Sequence, residues 1–497
     1  LELIMPKDNP DNKFFITFKN FYQGFSPTAH LNSLTELGNE GHASVMTNVD
    51  ILTPALLTQG PALSNLTNGS QAGVVDQLIH FIMDIPIASA IAYALGTTKL
   101  FRLSSTTVKS GGTPSFPQTV TNMANSAGYE PSLIYLKGNV YGFYNKSSGG
   151  DILKMPTSTE VIDPDWGSTI PTGAAALQKA PHPSAKKEDI MVFGNGRYLG
   201  TYIVASNTLA PTKLDFGNNC VVADVDFHAN QWWIAVNSGI TGTHRTRGQV
   251  YLYDGSVTKS ILDDETSVGV HRIGFLYIIN GIPFIAYQDL SDVGGYKIGY
   301  ISGRRIMDIG YFTGSLPNFA QKTLYKKTII FIANNVIWSV GARTEELPYA
   351  TSQLADGGHA TVGALAAPFG TPLVASTDGG SNHRLAKFSG YETSCTWKTI
   401  VVPTTRGKEI GYIDLIRVTT KTLGANARCD LQVEYNQGVS SLGSAEQITG
   451  TGKRIHVIEP GVSDVEDFRV ALDWSNGHAS NDCAIREIYI EGHYVER

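Results

Sequence analysis

The stretch IINGIPFIAYQD, Ile278 to Asp289, sets Asn280-Gly281 between two apolar runs, the strongest short-range signal for a tight β-hairpin. The same strand-turn-strand pattern returns in YLKGNVYGFYNK from Tyr135, VFGNGRYLGTYIV from Val192, DFHANQWWIAVNS from Asp226 and TLYKKTIIFIANN from Thr323. Looser copies stand at FIMDIPIASAIAYAL from Phe81 and LAAPFGTPLVAST from Leu365. After each hairpin comes a short alternating strand closed by a turn residue, with central apolar residues Leu100, Ile152, Leu214, Val250, Ile298, Ile337 and Leu385. The spacing averages about 47 residues and runs from roughly 36 to 62.

A repeat of this length, with room for four short strands, is the signature of a β-propeller blade. A four-stranded sheet cannot cover both its faces alone, whereas blades packed radially bury each face on the next. A glycine-rich all-β chain of any topology also throws up hairpins at irregular intervals, but seven paired elements in one order favour the repeat. The expectation is an all-β fold with a propeller of about seven four-stranded blades over residues 71–401. Composition agrees: 51 glycines, 10% aromatic residues and only 16% charged residues suit strands and turns better than helices.

The ends read differently. After Trp397 come longer alternating strands, IGYIDLIRVTT, RCDLQVEYN, KRIHVIEPG, EDFRVALDW and CAIREIYIEGHYVE, separated by polar turns. Five such strands predict a separate β-sandwich over 402–497. Residues 1–70, with few charges, several prolines and scattered apolar positions, predict an extended arm lying on another surface, either in its own chain or on a neighbour. The N-terminus has no basic start leading into an apolar core, and no stretch approaches the roughly 20 apolar residues of a membrane span, so a soluble protein is expected.

No chemistry announces itself. A net charge of −6 without long runs of one sign advertises neither a nucleic-acid groove nor a membrane patch. Cys220, Cys395, Cys429 and Cys483 lie far apart and read as buried thiols, with Cys429 and Cys483 able to pair. DVDFH puts Asp224, Asp226 and His228 on one strand face, a spacing open to metal ligation; the plainer reading is a solvated or hydrogen-bonded face, since no calcium-loop pattern accompanies it. Ser376, Asp378 and Gly380 are a fragment of a sialidase-type box with His383 where tryptophan belongs, and read as a turn. Asp263 to Glu265, and Asp289 with Asp292, read as inter-strand loops. The glycine pairs 149–150, 294–295 and 379–380 mimic the kelch double glycine without its aromatic partners. Trp232-Trp233 offers a ring for sugar stacking, with core packing the plainer reading. No catalytic, cofactor-binding or metal residue is therefore assigned, and no cofactor is expected.

The aromatic-Gly segment FYQGFSP, the segment NVDILTPALLTQGPAL, a propeller without enzymatic motifs and a terminal sandwich together resemble virion structural proteins of tailed bacteriophages, of the neck, tail-nozzle and tail-hub type. The resemblance implies a non-enzymatic component of the virion tail or neck, assembled in the host cytoplasm. Its partners would be copies of itself in a ring and other virion proteins, with passive contact with packaged DNA and none with membrane. An arm of about 70 residues costs roughly 1 to 2 kcal/mol of backbone entropy per residue to order, and a neighbouring copy in a closed ring could receive it. The alternative is a carbohydrate-binding or carbohydrate-cleaving propeller acting as a receptor-binding adhesin on a host glycan.

Overall fold

The computed structural model describes residues 13–496 except 19–20, 22–23, 26–41, 54–55, 69–70, 73, 85–90, 170–176, 240–246, 263–269, 290–293, 342–349, 356–357, 380–381, 405–408, 439, 442–444 and 476. The chain is nearly all β, with one four-residue α-helix, Trp166–Thr169, and a 3₁₀ turn at Phe319–Gln321 among the described residues. It divides into two compact units, one of residues 64–335 and 358–387, the other of residues 1–63, 336–357 and 388–497. The boundaries expected at 70/71 and 401/402 therefore differ from the observed ones, and the reason lies in strand pairing at both ends.

The first unit is a succession of antiparallel sheets in chain order. Ile79–Ile82, Ala92–Gly96 and Lys99–Leu103 begin it, followed by Ser132–Leu136, Asn139–Lys146 and Gly149–Pro156. Three complete four-stranded sheets come next: Ser184–Lys187 to Thr208–Asp215, Cys220–His228 to Thr258–Leu262, and Val270–Ile279 to Arg305–Thr313. The hairpin of Lys322–Tyr325 and Thr328–Ala333 follows, and Thr361–Ala366, Leu373–Thr377 and His383–Tyr391 end the series. Asn280 and Gly281 both have positive φ, 50° and 80°, as the tight turn between Ile279 and Ile282 requires. In one sheet the expected order shifts. VFGNGRYLGTYIV forms the second and third strands there, because Ser184–Lys187 precedes it, so Leu214 lies on a fourth strand rather than a third.

Each sheet buries a face on the next. Tyr93 and Leu100 pack with Val140 and Leu153, Phe143 with Phe193, Val192 and Leu199 with Val222 and Ile234, Val250 with Ile273 and Ile285, and Phe275 with Phe331. The last sheet then packs on the first, with Ala364, Leu373 and Leu385 in one cluster with Ile79, Ala94 and Phe101. Backbone bonds reinforce this closure: Leu66 N–H donates to Leu385 O at 2.8 Å, and Val75 and Val74 pair antiparallel with His383 and Arg384. Buried amides also bridge neighbouring sheets. Asn237 Nδ2 donates to Ile273 O at 2.8 Å and its Oδ1 accepts from Ile273 N at 2.7 Å, and Asn145 makes the same paired contact with Ala180 at 3.0 and 3.0 Å. Such bonds satisfy backbone groups that no ladder reaches.

In the second unit, all five strands expected after residue 401 form: Glu409–Thr420, Arg428–Tyr435, Ile455–Ile458, Asp467–Asp473 and Ile485–Glu496. They belong to two sheets. One runs Lys13–Phe18, Ile485–Glu496, Glu409–Thr420, Ile455–Ile458; the other runs Gly24–Phe25, His42–Thr47, Thr396–Thr399, Asp467–Asp473, Arg428–Tyr435, Ser440–Ser441. Residues from both share one core, including Phe14, Met46, Trp397, Ile416, Leu431, Leu472 and Ile488. The extended arm is thus corrected where the structure describes it: Lys13–Phe18 and His42–Thr47 are sheet strands within this unit. The segment NVDILTPALLTQG closes on itself through Val49 opposite Gln59 and Gly60 N–H to Asn48 O at 2.6 Å. Gly60 is required there, since a Cβ would stand 2.2 Å from Leu354 O.

Candidate functional site

In the unit of residues 64–335 and 358–387, the first strands of several sheets converge on a cavity of about 330 Å³. Its walls carry the aromatic rings of Phe81, Tyr135, Phe227, Tyr277 and Phe319, and its polar groups are Asp84, Asp224, Asp226, Ser184, Lys186 and Lys322. Apolar walls with a few convergent polar groups are the usual make-up of a small-ligand site.

Asp224 to Phe227 of DVDFH line one side of it, and the structure shows what the alternation does. A bulge between Val222 and Asp224 re-aims the strand just ahead of the first carboxylate. Asp224 Oδ2 then accepts from Leu276 N at 2.7 Å, and Asp226 Oδ2 from Ile278 N at 3.0 Å, so the two carboxylates reach successive outward amides of the neighbouring sheet. Lys322 Nζ is bonded to Asp224 and to Leu276 O and lies over the rings of Phe275 and Tyr277 at 5.6 and 5.3 Å. Burial pushes the Asp224 carboxyl up, and the Lys322 ammonium pulls it back. This is a buried, hydrogen-bonded pair, costly to break from one side. His228 stands apart, with Nε2 near the turn glycine Gly281. Among the described residues, no group of three or more His, Cys, Asp or Glu could hold a metal ion.

Asp84 carries no signal in the sequence, since a lone Asp between Met83 and Ile85 has no spacing to read. Its Oδ1 accepts from Thr323 Oγ1 at 3.0 Å and from Ala367 N at 3.4 Å, and Oδ2 takes no hydrogen bond among the described residues. The residue is exposed toward the cavity it lines, and desolvation by the nearby protein pushes its carboxyl up to about 6 against the pull of Thr323, Ala367 and Lys322. Lys186 Nζ donates to Tyr135 O at 2.6 Å, and burial lowers its pKa. The Tyr277 phenol is pushed far up by burial and by Asp84, Asp226 and Asp224.

The remaining candidates lie elsewhere. Trp232 is buried against Phe227, at 4.5 Å between ring centroids, and Trp233 packs beside Ala235 and Leu276. Neither indole lines the cavity. Asp378 accepts from Asn382 N at 2.9 Å and pairs with Arg384 at 2.6 Å, while His383 Nδ1 meets Thr377 Oγ1 at 3.1 Å, so the Ser376–His383 fragment is a bonded turn whose Gly380 lies outside the described residues. Asp289 pairs with Lys297 at 3.3 Å; Asp292 and Asp263 to Glu265 lie outside the described residues. All four cysteines are free, Cys395, Cys429 and Cys483 buried and Cys220 half-buried, so the possible Cys429–Cys483 bond is not formed.

No family model and no curated protein matches the chain. Solved structures similar to it include the computationally designed protein Ika8, at 12% identity over 67% of this chain and 100% of that one, with a TM-score of 0.38. An extracellular domain of a one-component system from B. thetaiotaomicron matches at 13% over 74% of this chain and 45% of its own, TM-score 0.44. An exo-β-1,3-galactanase from Phanerochaete chrysosporium matches at 8% over 87% of this chain and 100% of its own, TM-score 0.31. At such identities and TM-scores, no activity or ligand of these proteins transfers to this chain.

Proposed function

We propose that the chain is a non-enzymatic carbohydrate-binding protein, a seven-bladed propeller joined to a β-sandwich, acting as a receptor-binding adhesin. The cavity between the first strands is the observation that carries this reading. Aromatic faces such as those of Tyr135, Phe227 and Phe319 suit the C–H faces of a sugar ring, and carboxylates and ammonium groups suit its hydroxyls. Cleavage is disfavoured because Asp224 and Asp226 are engaged by backbone amides of the next sheet, and Asp224 also by Lys322, whereas glycoside hydrolysis needs a carboxylate pair free to flank the scissile bond. A glycan array run beside a polysaccharide turnover assay tests it. Reproducible binding without turnover is expected, turnover would make the chain an enzyme, and no binding to any glycan would sink the reading.

A second reading, the virion scaffold of neck, nozzle or hub type, is favoured by a different observation. The propeller's sheets are cross-tied by buried Asn145, Asn237 and Asp224 and by half-buried Asp226, a stiffening device that suits a load-bearing part. Self-association in a ring, contact with other virion proteins and passive contact with packaged DNA belong to this reading. The cost of ordering an arm argues less strongly for a ring now that Lys13–Phe18 pairs with Ile485–Glu496 of the same chain. Antibody labelling of purified particles is expected to mark the neck or tail, and labelling absent from both would dispose of it. An adhesin at the tail tip would satisfy both readings.

A further inference from the structure

We propose that the cavity selects a neutral sugar residue, and that Asp84 is the specificity-determining group that reads its hydroxyls. This rests on the carbohydrate-binding reading above and adds the ligand class and the residue that chooses it.

Three observations lead there. The first is charge. The cavity is lined by three carboxylates, Asp84, Asp224 and Asp226, and two ammonium groups, Lys186 and Lys322; Asp224 is paired with Lys322, and the charge left over is negative, which opposes a uronic or sialic carboxylate. The second is hydrogen-bonding capacity. Asp226 spends Oδ1 on Phe227 N at 2.8 Å and Oδ2 on Ile278 N, whereas Asp84, which lines the cavity, has no hydrogen bond to Oδ2 among the described residues. An ionised carboxylate accepts from two vicinal hydroxyls at once, and such charge-assisted bonds are roughly twice as strong as neutral ones. The third is size. A void of about 330 Å³ lies at the small end of ligand pockets and suits one or two sugar rings rather than a long chain.

A consequence for pH follows from the groups that face Asp84. Lys322 and the Thr323 hydroxyl stabilise its ionised form, Asp226 opposes it, and the Tyr277 phenol stays protonated throughout the working range. With its carboxyl held near 6, Asp84 is ionised in roughly a tenth of molecules at pH 5 and in nearly all at pH 7.5. If only the ionised form reads the hydroxyls, affinity for a neutral sugar rises by up to about tenfold between those pH values.

The experiment uses the full chain on an array of mannose-, glucose-, galactose- and N-acetylneuraminic-acid-terminated glycans at pH 5 and 7.5. Titration calorimetry with the best neutral glycan follows, on the native protein and on Asp84→Asn, with thermal unfolding of the variant as the control for folding. A second variant, Asp226→Asn, shows whether any loss is particular to Asp84. The inference expects binding confined to neutral glycans, several-fold tighter at pH 7.5, and an Asp84→Asn protein that is folded, weaker at pH 7.5 and flat with pH. Preference for the sialylated glycan, or neutral-glycan binding that keeps its strength and pH profile in Asp84→Asn, overturns the inference and leaves the carbohydrate reading standing. Binding to no glycan at either pH removes both. If Asp84→Asn fails to fold, the native pH profile decides: a flat one is against the inference.

Discussion

The tight turns of the unit of residues 64–335 and 358–387 show what single residues disclose and what they conceal. Asn280-Gly281 carries its own turn chemistry, but Lys326-Lys327 joins Lys322–Tyr325 to Thr328–Ala333 with the same backbone, φ 46° and 64°, and no glycine. That hairpin was legible only through the alternation of its flanks. A left-handed conformation costs a non-glycine residue about 1 to 2 kcal/mol, a cost that glycine avoids. Lys327→Gly is therefore expected to stabilise the protein by about 1 kcal/mol, and Gly281→Ala, its counterpart, to destabilise it by a similar amount. Urea denaturation midpoints check both, and equal signs for the two changes would contradict the account. The site was less legible for a related reason. Asp224 and Asp226 declared their common strand face through period two, but their partners, Leu276 and Ile278 N–H, are about 50 residues away. Asp84 declared nothing, because its environment is made by other strands.

At the scale of elements, the strands after residue 401 were legible because each alternates over enough residues to fix a face, whereas Lys13–Phe18 is short and set among uninformative neighbours. Its pattern, KFFITF, does alternate, with Phe14, Ile16 and Phe18 inward. What the sequence alone cannot supply is the acceptor: Phe14 sits opposite Gly492, and its ring lies where a Cβ on that glycine would come within 2.3 Å. The ring and the missing side chain fit one another across the pair. Phe14→Ala should cost about 3 to 5 kcal/mol, the range for a buried phenylalanine, whereas Thr17→Ala on the outer face should cost under about 1 kcal/mol. The measurement also separates a strand held within its own chain from one exchanged between copies. Association makes stability depend on protein concentration. A native midpoint that is the same at micromolar and tens of micromolar protein is expected, and one that climbs with concentration would return the strand to a neighbour.

For the molecule as a whole, the repeat was legible as a period but its closure was not, since nothing in a single repeat says whether the series ends or joins its beginning. The joining is done by residues the sequence assigned to the arm or its border: Leu66, wholly buried, whose N–H donates to Leu385 O, and Val74–Val75, paired with His383 and Arg384. An open array of repeats has ends, and its terminal repeats, each covered on one face only, open at lower free energy than the middle. A closed array has none. In native-state hydrogen exchange, the amides of Ala92–Gly96 in the first sheet and of Leu373–Thr377 in the last should therefore exchange with the same opening free energy, although they stand near opposite ends of the unit's sequence. Leu66→Asp places a charge in the cluster that holds these sheets together, and it should lower protection in both by similar amounts while leaving Arg428–Tyr435 unchanged. Loss confined to the last sheet would mean that the series is open and that the backbone pairing at Val75 decorates an end rather than closing a ring.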